Sequence, residues 1–166
     1  MVTNKLFRKK GFAVEVETFK IDGKKEEFVK FVQPNSVVIL PISAGKVLLE
    51  RHYRRAIRKY VYEFPAGHIN KNEKPSAAAL RELMEETGYC PYTITAMFRA
   101  REAQPRLNNF IYFYLAKSLK KCKKPKDKAE IITNKWIDEK EFIALIKKGK
   151  ITDLKTLAAY TYYKAL

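Results

Sequence analysis

Cysteine is nearly missing: only Cys90 and Cys122 occur, far apart and without CxxC spacing. That pattern is read as neither a disulfide framework nor a metal knuckle, and a reducing cytoplasm is the expectation it carries. Long hydrophobic runs are also missing. The longest, "VVILPI", has the length of a strand and is too short for a bilayer, so no membrane role is expected. The opening "MVTNKLFRKKGFAVEV" has basic residues but no apolar core of a signal peptide. No internal repeat and no linker interrupts the 166 residues, so one domain is expected.

Acidic residues are in short supply. Eighteen Asp and Glu face 34 Lys and Arg, a formal charge of +16. The excess is uneven. Residues 1–60 carry 14 basic against 6 acidic side chains, residues 61–116 carry 6 against 6, and residues 117–166 again carry 14 against 6. Basic flanks around a neutral middle fit an anionic partner, whether nucleic acid, membrane surface or a phosphate-rich small molecule. They fit a lysine-rich solvated surface equally well.

Enough apolar material remains for a packed core, with 46% hydrophobic and 13% aromatic residues. Period-two alternation and turn residues mark strands at 12–21, 27–32, 36–42 and 47–53, expected as an antiparallel series joined by hairpins. Further strands are expected at 60–64, 92–100, 110–116 and 130–137. The lysine run 117–128 reads as a loop. Helices are expected from Pro75 to a Gly88 stop, from Asp138 through Lys148, and after Asp153. Mixed strands and helices without strict alternation indicate α+β, a mixed sheet between helices.

The first of those helices poses an electrostatic problem. Glu82, Glu85 and Glu86 in "RELMEETGY" stand at i, i+3 and i+4 on one face. Like charges at that spacing repel by a few tenths of a kcal/mol per pair. The negative end of the helix dipole adds roughly 0.3–1 kcal/mol against each. Arg81 can neutralise one of them at i+4; the remainder calls for a cation.

The register around this acidic turn is specific. "GHINKNEKPSAAALRELMEETGY" (67–89) follows G-x(5)-E-x(7)-R-E-U-x-E-E-x-G-U, with U apolar. All seven fixed positions agree: Gly67, Glu73, Arg81, Glu82, Glu85, Glu86 and Gly88. Chance agreement is on the order of 10⁻⁸ per starting point. The stretch resembles the signature box of the Nudix hydrolases. The resemblance implies an α/β/α sandwich in which a loop–helix–loop holds a divalent metal, Mg²⁺ with Mn²⁺ as an alternative, against a diphosphate. It implies Glu82, Glu85, Glu86 and the Ala66 carbonyl as metal ligands, and a structural ion pair between Glu73 and Arg81. Leu80, Leu83 and Met84 are expected to face the core, with Lys71 and Lys74 in solvent.

The flanking residues are similar to the ADP-ribose and nucleoside-diphosphate-sugar pyrophosphatase subgroup. His52-Tyr53-Arg54 and Glu63-Phe64-Pro65-Ala66-Gly67 stand where that subgroup has Q-Y-R and E-L-P-A-G. Arg54 would contact the diphosphate or terminal ribose, and Glu63 would join the substrate or metal shell. Arg51, Arg55 and Arg58 are expected on the surface. Pro105 lies sixteen residues past the box, as in the subgroup, but "QPRLNN" departs from its Ser-Pro-Gly-acid pattern, with Arg106 replacing the glycine. Asp127 and Glu130 retain part of an acidic loop, so Glu130 is a candidate general base, with Glu85 the alternative.

The resemblance therefore implies Mg²⁺-dependent cleavage of ADP-ribose or a related nucleoside diphosphate sugar into a nucleoside monophosphate and a sugar phosphate. It also implies a homodimer built through the N-terminal strands (residues 1–33) around a catalytic core (34–166), in the cytoplasm that the cysteine usage leads one to expect. Action on RNA 5′ ends is the competing reading. It rests on the basic flanks and is disfavoured by the lack of an RNP-like aromatic pattern.

Overall fold

A computed structural model describes residues 2–122 and 131–166. The candidate base Glu130, and Asp127, lie outside them. The N-terminal segment forms a three-stranded antiparallel sheet of β1 (Val2–Lys9), β2 (Phe12–Ile21) and β3 (Lys24–Val32), in that order. The chain then crosses at 33–35 into a seven-stranded mixed sheet. Its strands are β4 (Ser36–Ser43), β5 (Lys46–Arg54), β6 (Lys59–Glu63), β7 (Ala66–His68), β8 (Tyr89–Arg101), β9 (Phe110–Lys121) and β10 (Ile132–Asp138). The main path runs β10-β5-β4-β9-β8, with β6 beside β5 and β7 beside β4. Three helices complete the chain: α1 (Pro75–Thr87), α2 (Glu139–Lys147) and α3 (Leu154–Lys164).

The strand β4 explains the layering. It pairs parallel with β9, and Val37, Val38, Ile39 and Leu40 are all fully buried. A strand buried on both faces reads as a continuous apolar run, and its alternate side chains feed two cores. Val37 and Ile39 pack with Ala78, Ala79 and Leu83 of α1. Val38 and Leu40 pack with Phe64, Phe142 of α2 and Tyr160 of α3. The α+β assignment and the α/β/α layering therefore stand.

Four expectations need correction. Strand β1 carried no alternation strong enough to be seen, yet it pairs with β2 along its length. The connection from β3 to β4 is no hairpin, because it changes sheets. The lysine run begins as strand, since β9 continues to Lys121 opposite Tyr89. On α1 the buried face is Ala79, Leu83 and Glu86, while Leu80 is exposed.

The cysteine expectation is also overturned. Cys90 and Cys122 form a disulfide with Cα atoms 5.8 Å apart. The long β8–β9 ladder places Cys90 across from Lys120, so antiparallel pairing brings together two residues that sequence distance keeps apart. The cysteine argument for a reducing compartment loses its basis. No helix among the described residues is long and apolar enough to cross a membrane.

A disulfide closing a loop of this length should contribute about 3–4 kcal/mol through chain entropy. Cys122→Ser, or reduction of the wild type, should lower Tm by about 7–14 °C in calorimetry. An unchanged Tm would show that the ladder alone carries that stability.

Candidate active site

The site is assembled where α1 meets the edge of β4. Pro at the first position starts the helix, and Gly88 ends it in the left-handed conformation with its N–H donating to the Met84 carbonyl. Asn134 on β10 donates from Nδ2 to the Glu86 carbonyl at 3.0 Å. The acidic end of α1 is thus tied to the sheet.

One guanidinium organises the loop before the helix. Arg81 Nε and Nη2 donate to the two Glu73 oxygens at 2.8 and 2.9 Å. Nη2 also reaches the His68 carbonyl at 2.9 Å. Nη1 donates to Glu82 at 2.7 Å and to Glu85 at 3.0 Å. The Glu73 carboxylate also accepts the Asn70 N–H at 2.8 Å. Arg81 holds the Glu73 carboxyl down at about 2, against an ordinary 4.5, and the same contacts push the Arg81 pKa up.

Gly67 is required by close approach. A Cβ there would lie 2.1 Å from the Glu82 carboxylate carbon, so the Glu82 carboxylate occupies the space that any other residue would fill. Ala66, next to it, donates its N–H to Glu86 Oε2 at 2.9 Å.

The opposite wall comes from β5 and β6. Period two places Glu50, His52 and Arg54 on one side of β5. Glu50 lies opposite Glu63 of β6. Glu63 is buried and contacts Arg54 Nη2 at 2.6 Å and His52 Nδ1 at 3.1 Å. Burial pushes its pKa up, and Arg54 opposes that shift. Burial, helped by Arg54, lowers His52 to about 4, so its imidazole is neutral at pH 7. Glu50, His52 and Glu86 each offer a donor atom within 4.8 Å of the others, and all three are buried.

Glu50 is the acid that sequence reading missed. The signal was available: once His52 and Arg54 are placed in the site, the strand period puts Glu50 beside them.

A cavity of about 430 Å³ is lined among others by Arg54, Ala66, Gly67, Glu82, Glu86 and Lys155. The donor set fits a divalent cation, since hard ions take carboxylates and carbonyls. Glu85 is not part of the cavity lining. Pro105 and Arg106 also lie off it, exposed in the loop 102–109. Arg106 donates to the Val29 carbonyl at 2.9 Å, its guanidinium lies over the Phe28 ring, and its own carbonyl accepts from Phe31. It docks the loop on β3.

Lys155, absent from the sequence reading, is placed by a relay. The Phe64 N–H donates to Thr156 Oγ1 at 2.9 Å, and that hydroxyl donates to Asp153, the cap of α3. Asp153 also pairs with Lys155.

The three-layered fold and the acidic loop–helix define the class, and sequence comparison agrees. The NUDIX domain family matches residues 32–160, so the chain belongs to the Nudix family. It is a Nudix hydrolase, an enzyme rather than a binding module. The chain is 28% identical to an ADP-ribose pyrophosphatase of Bacillus subtilis, over 91% of this chain and 82% of that protein. It is equally 28% identical to a methanol dehydrogenase activator of Bacillus methanolicus, over 96% and 89%. An ADP-sugar pyrophosphatase of Mus musculus shares 41% over 44% of this chain and 34% of its own. A crystal structure of an ADP compounds hydrolase superimposes with a TM-score of 0.88 over 99% of this chain and 91% of that one, at 20% identity. That likeness speaks to the fold.

The depressed Glu73 pKa fixes a pH dependence. A lowered folded-state value stabilises fully above the ordinary 4.5 and is lost as pH falls through about 2. Wild-type Tm should therefore drop between those limits, and Glu73→Gln should be less stable at neutral pH with a shallower acid decline. Identical acid slopes in the two proteins would contradict the clamp.

Proposed function

We propose that the enzyme hydrolyses the diphosphate bond of ADP-ribose or a related nucleoside diphosphate sugar, releasing a nucleoside monophosphate and a sugar phosphate. One observation carries this reading: a single cavity is lined by Glu82 and Glu86, carboxylates for a metal, and by Arg54 and Lys155, cations for phosphates. The names of the Bacillus subtilis and mouse relatives support that substrate class.

Glu82, Glu86 and the Ala66 carbonyl would hold Mg²⁺, with Glu50 completing the set from the sheet side and Glu85 from the solvent side. When bound, the metal neutralises phosphate oxygens and acidifies water. Arg54 supplies a forked donor to the diphosphate, pre-aimed by Glu63. Glu85 or Glu130 takes the proton of the water that attacks phosphorus, and the bridging oxygen leaves with the departing phosphate. Pro105 and Arg106 belong to the loop whose Glu102 reaches the cavity. The base end has a stacking surface close by. Phe7, Phe12 and Phe31 line a groove of about 320 Å³ that shares Gln33 with the central cavity.

The same N-terminal sheet would form the homodimer contact. Leu6, Phe7, Ile21 and Phe31 are 45–68% exposed, apolar side chains that a second copy would cover. Residues 1–33 thus serve assembly in a single Nudix domain, and 34–166 the chemistry.

Incubation with ADP-ribose and Mg²⁺ should release AMP and ribose 5-phosphate. Loss of groups behind a metal ligand costs 10–100-fold, so Glu86→Gln should cost more than about 100-fold in kcat. Absence of turnover on every diphosphate tried would refute the reaction. In light scattering the wild type should run at twice the chain mass, and Leu6→Glu with Ile21→Glu should run as a monomer. A monomeric wild type would refute the assembly.

A further inference from the structure

A second cavity, of about 280 Å³, lies beyond the first and shares Glu102 and Lys155 with it. Its construction differs. Ile111 and Phe113 project from one face of β9 and form an apolar floor, both almost wholly buried. Ala158 of α3 closes one side, and Leu154, 72% exposed, stands at the mouth. Phe113 is stacked on Phe98 at 4.2 Å, which stiffens the floor.

The boundary residues are held by bonds that orient rather than cover them. Glu102 Oε2 accepts from Gln33 at 2.5 Å and from Asn109 at 3.3 Å. A carboxylate has about four acceptor sites, so these two contacts leave it able to accept further hydroxyls. Lys155 is set at the first turn of α3 by its pair with Asp153, and α3 is tied through Thr156 to Phe64, between β6 and β7. The second cavity therefore has a fixed position relative to the first.

We propose that this second cavity receives the sugar half of the substrate, and that Lys155 and Glu102 are its specificity residues. The inference rests on the diphosphate reading above and adds where the half beyond the second phosphate goes. A sugar ring presents C–H groups on its faces and hydroxyls at its edge. The Ile111–Phe113–Ala158 floor matches the faces. The Glu102 carboxylate matches the hydroxyls, and the Lys155 ammonium sits where the phosphate nearest the sugar enters. The two cavities together enclose about 710 Å³, the sum of about 430 and 280 Å³, within the range of small-molecule sites. The phenylalanine groove is a separate opening lined by Gln33, the residue that donates to Glu102. A diphosphate with two different ends is accordingly favoured over a substrate ending in phosphate.

The test separates the halves of the substrate. Ala158→Phe should fill the second cavity, and Leu154→Trp should obstruct its mouth from an exposed position that leaves the core intact. In each purified variant, checked for wild-type circular dichroism, KM for ADP-ribose should rise at least tenfold. The inhibition constant of AMP, which lacks the sugar half, should stay within twofold. An unchanged KM in the folded Leu154→Trp protein overturns the proposal, and so does an equal rise of both constants. Wild-type enzyme that releases AMP from no nucleoside diphosphate compound would instead overturn the underlying reaction, and that measurement comes first.

Discussion

The structure depends on one guanidinium. Arg81 reaches Glu73, Glu82, Glu85 and the His68 carbonyl, so a single positive charge joins the helix to the loop that precedes it. Without that clamp, three carboxylates in the last turn of α1 would repel one another against an adverse helix dipole. With it, Glu82 and Glu85 share one positive charge, and Glu86 accepts the Ala66 N–H. Glu86 is buried and offers a donor atom beside those of Glu50 and His52, a set that suits a divalent cation.

The remainder of the fold aims other groups at that acidic turn. Parallel pairing of β4 with β9 buries the centre of the sheet and leaves room for β7 at its edge, where Ala66 and Gly67 meet Glu86 and Glu82. Strand β5 contributes Glu50, His52 and Arg54 by simple alternation. Helix α3 is capped by Asp153 and hooked to Phe64 by a buried threonine. Lys155 and the second cavity are consequences of that hook. The acidic and basic side chains that line the cavity are therefore contributed by different layers of one sandwich.

What was legible in the sequence was local. The box from Gly67 to Tyr89 spans a loop and one helix, so its spacing puts Arg81 within reach of Glu85, while the pair with Glu73 followed from the resemblance. Helix caps at Asp138 and Asp153 were visible for the same reason, because a cap acts over three residues. What was missed depends on pairing between distant segments. Cys90 meets Cys122 only through the β8–β9 ladder. Lys155 reaches the cavity only because α3 docks on Phe64. Arg106 binds β3 through a contact 77 residues away. Leu80 was misplaced because a helix face was inferred from residue type, whereas packing against β4 selected Ala79 and Leu83.

The central claim is that the carboxylates of the cavity hold the metal while its cations hold the diphosphate. Crystals grown with Mn²⁺ and a non-hydrolysable methylene analogue of ADP-ribose would test it through anomalous scattering. The account predicts a manganese peak bounded by Ala66, Glu82 and Glu86, with the analogue's phosphorus atoms between that peak and Arg54. A cavity with bound analogue but no anomalous peak, or a peak away from Glu86, would contradict it.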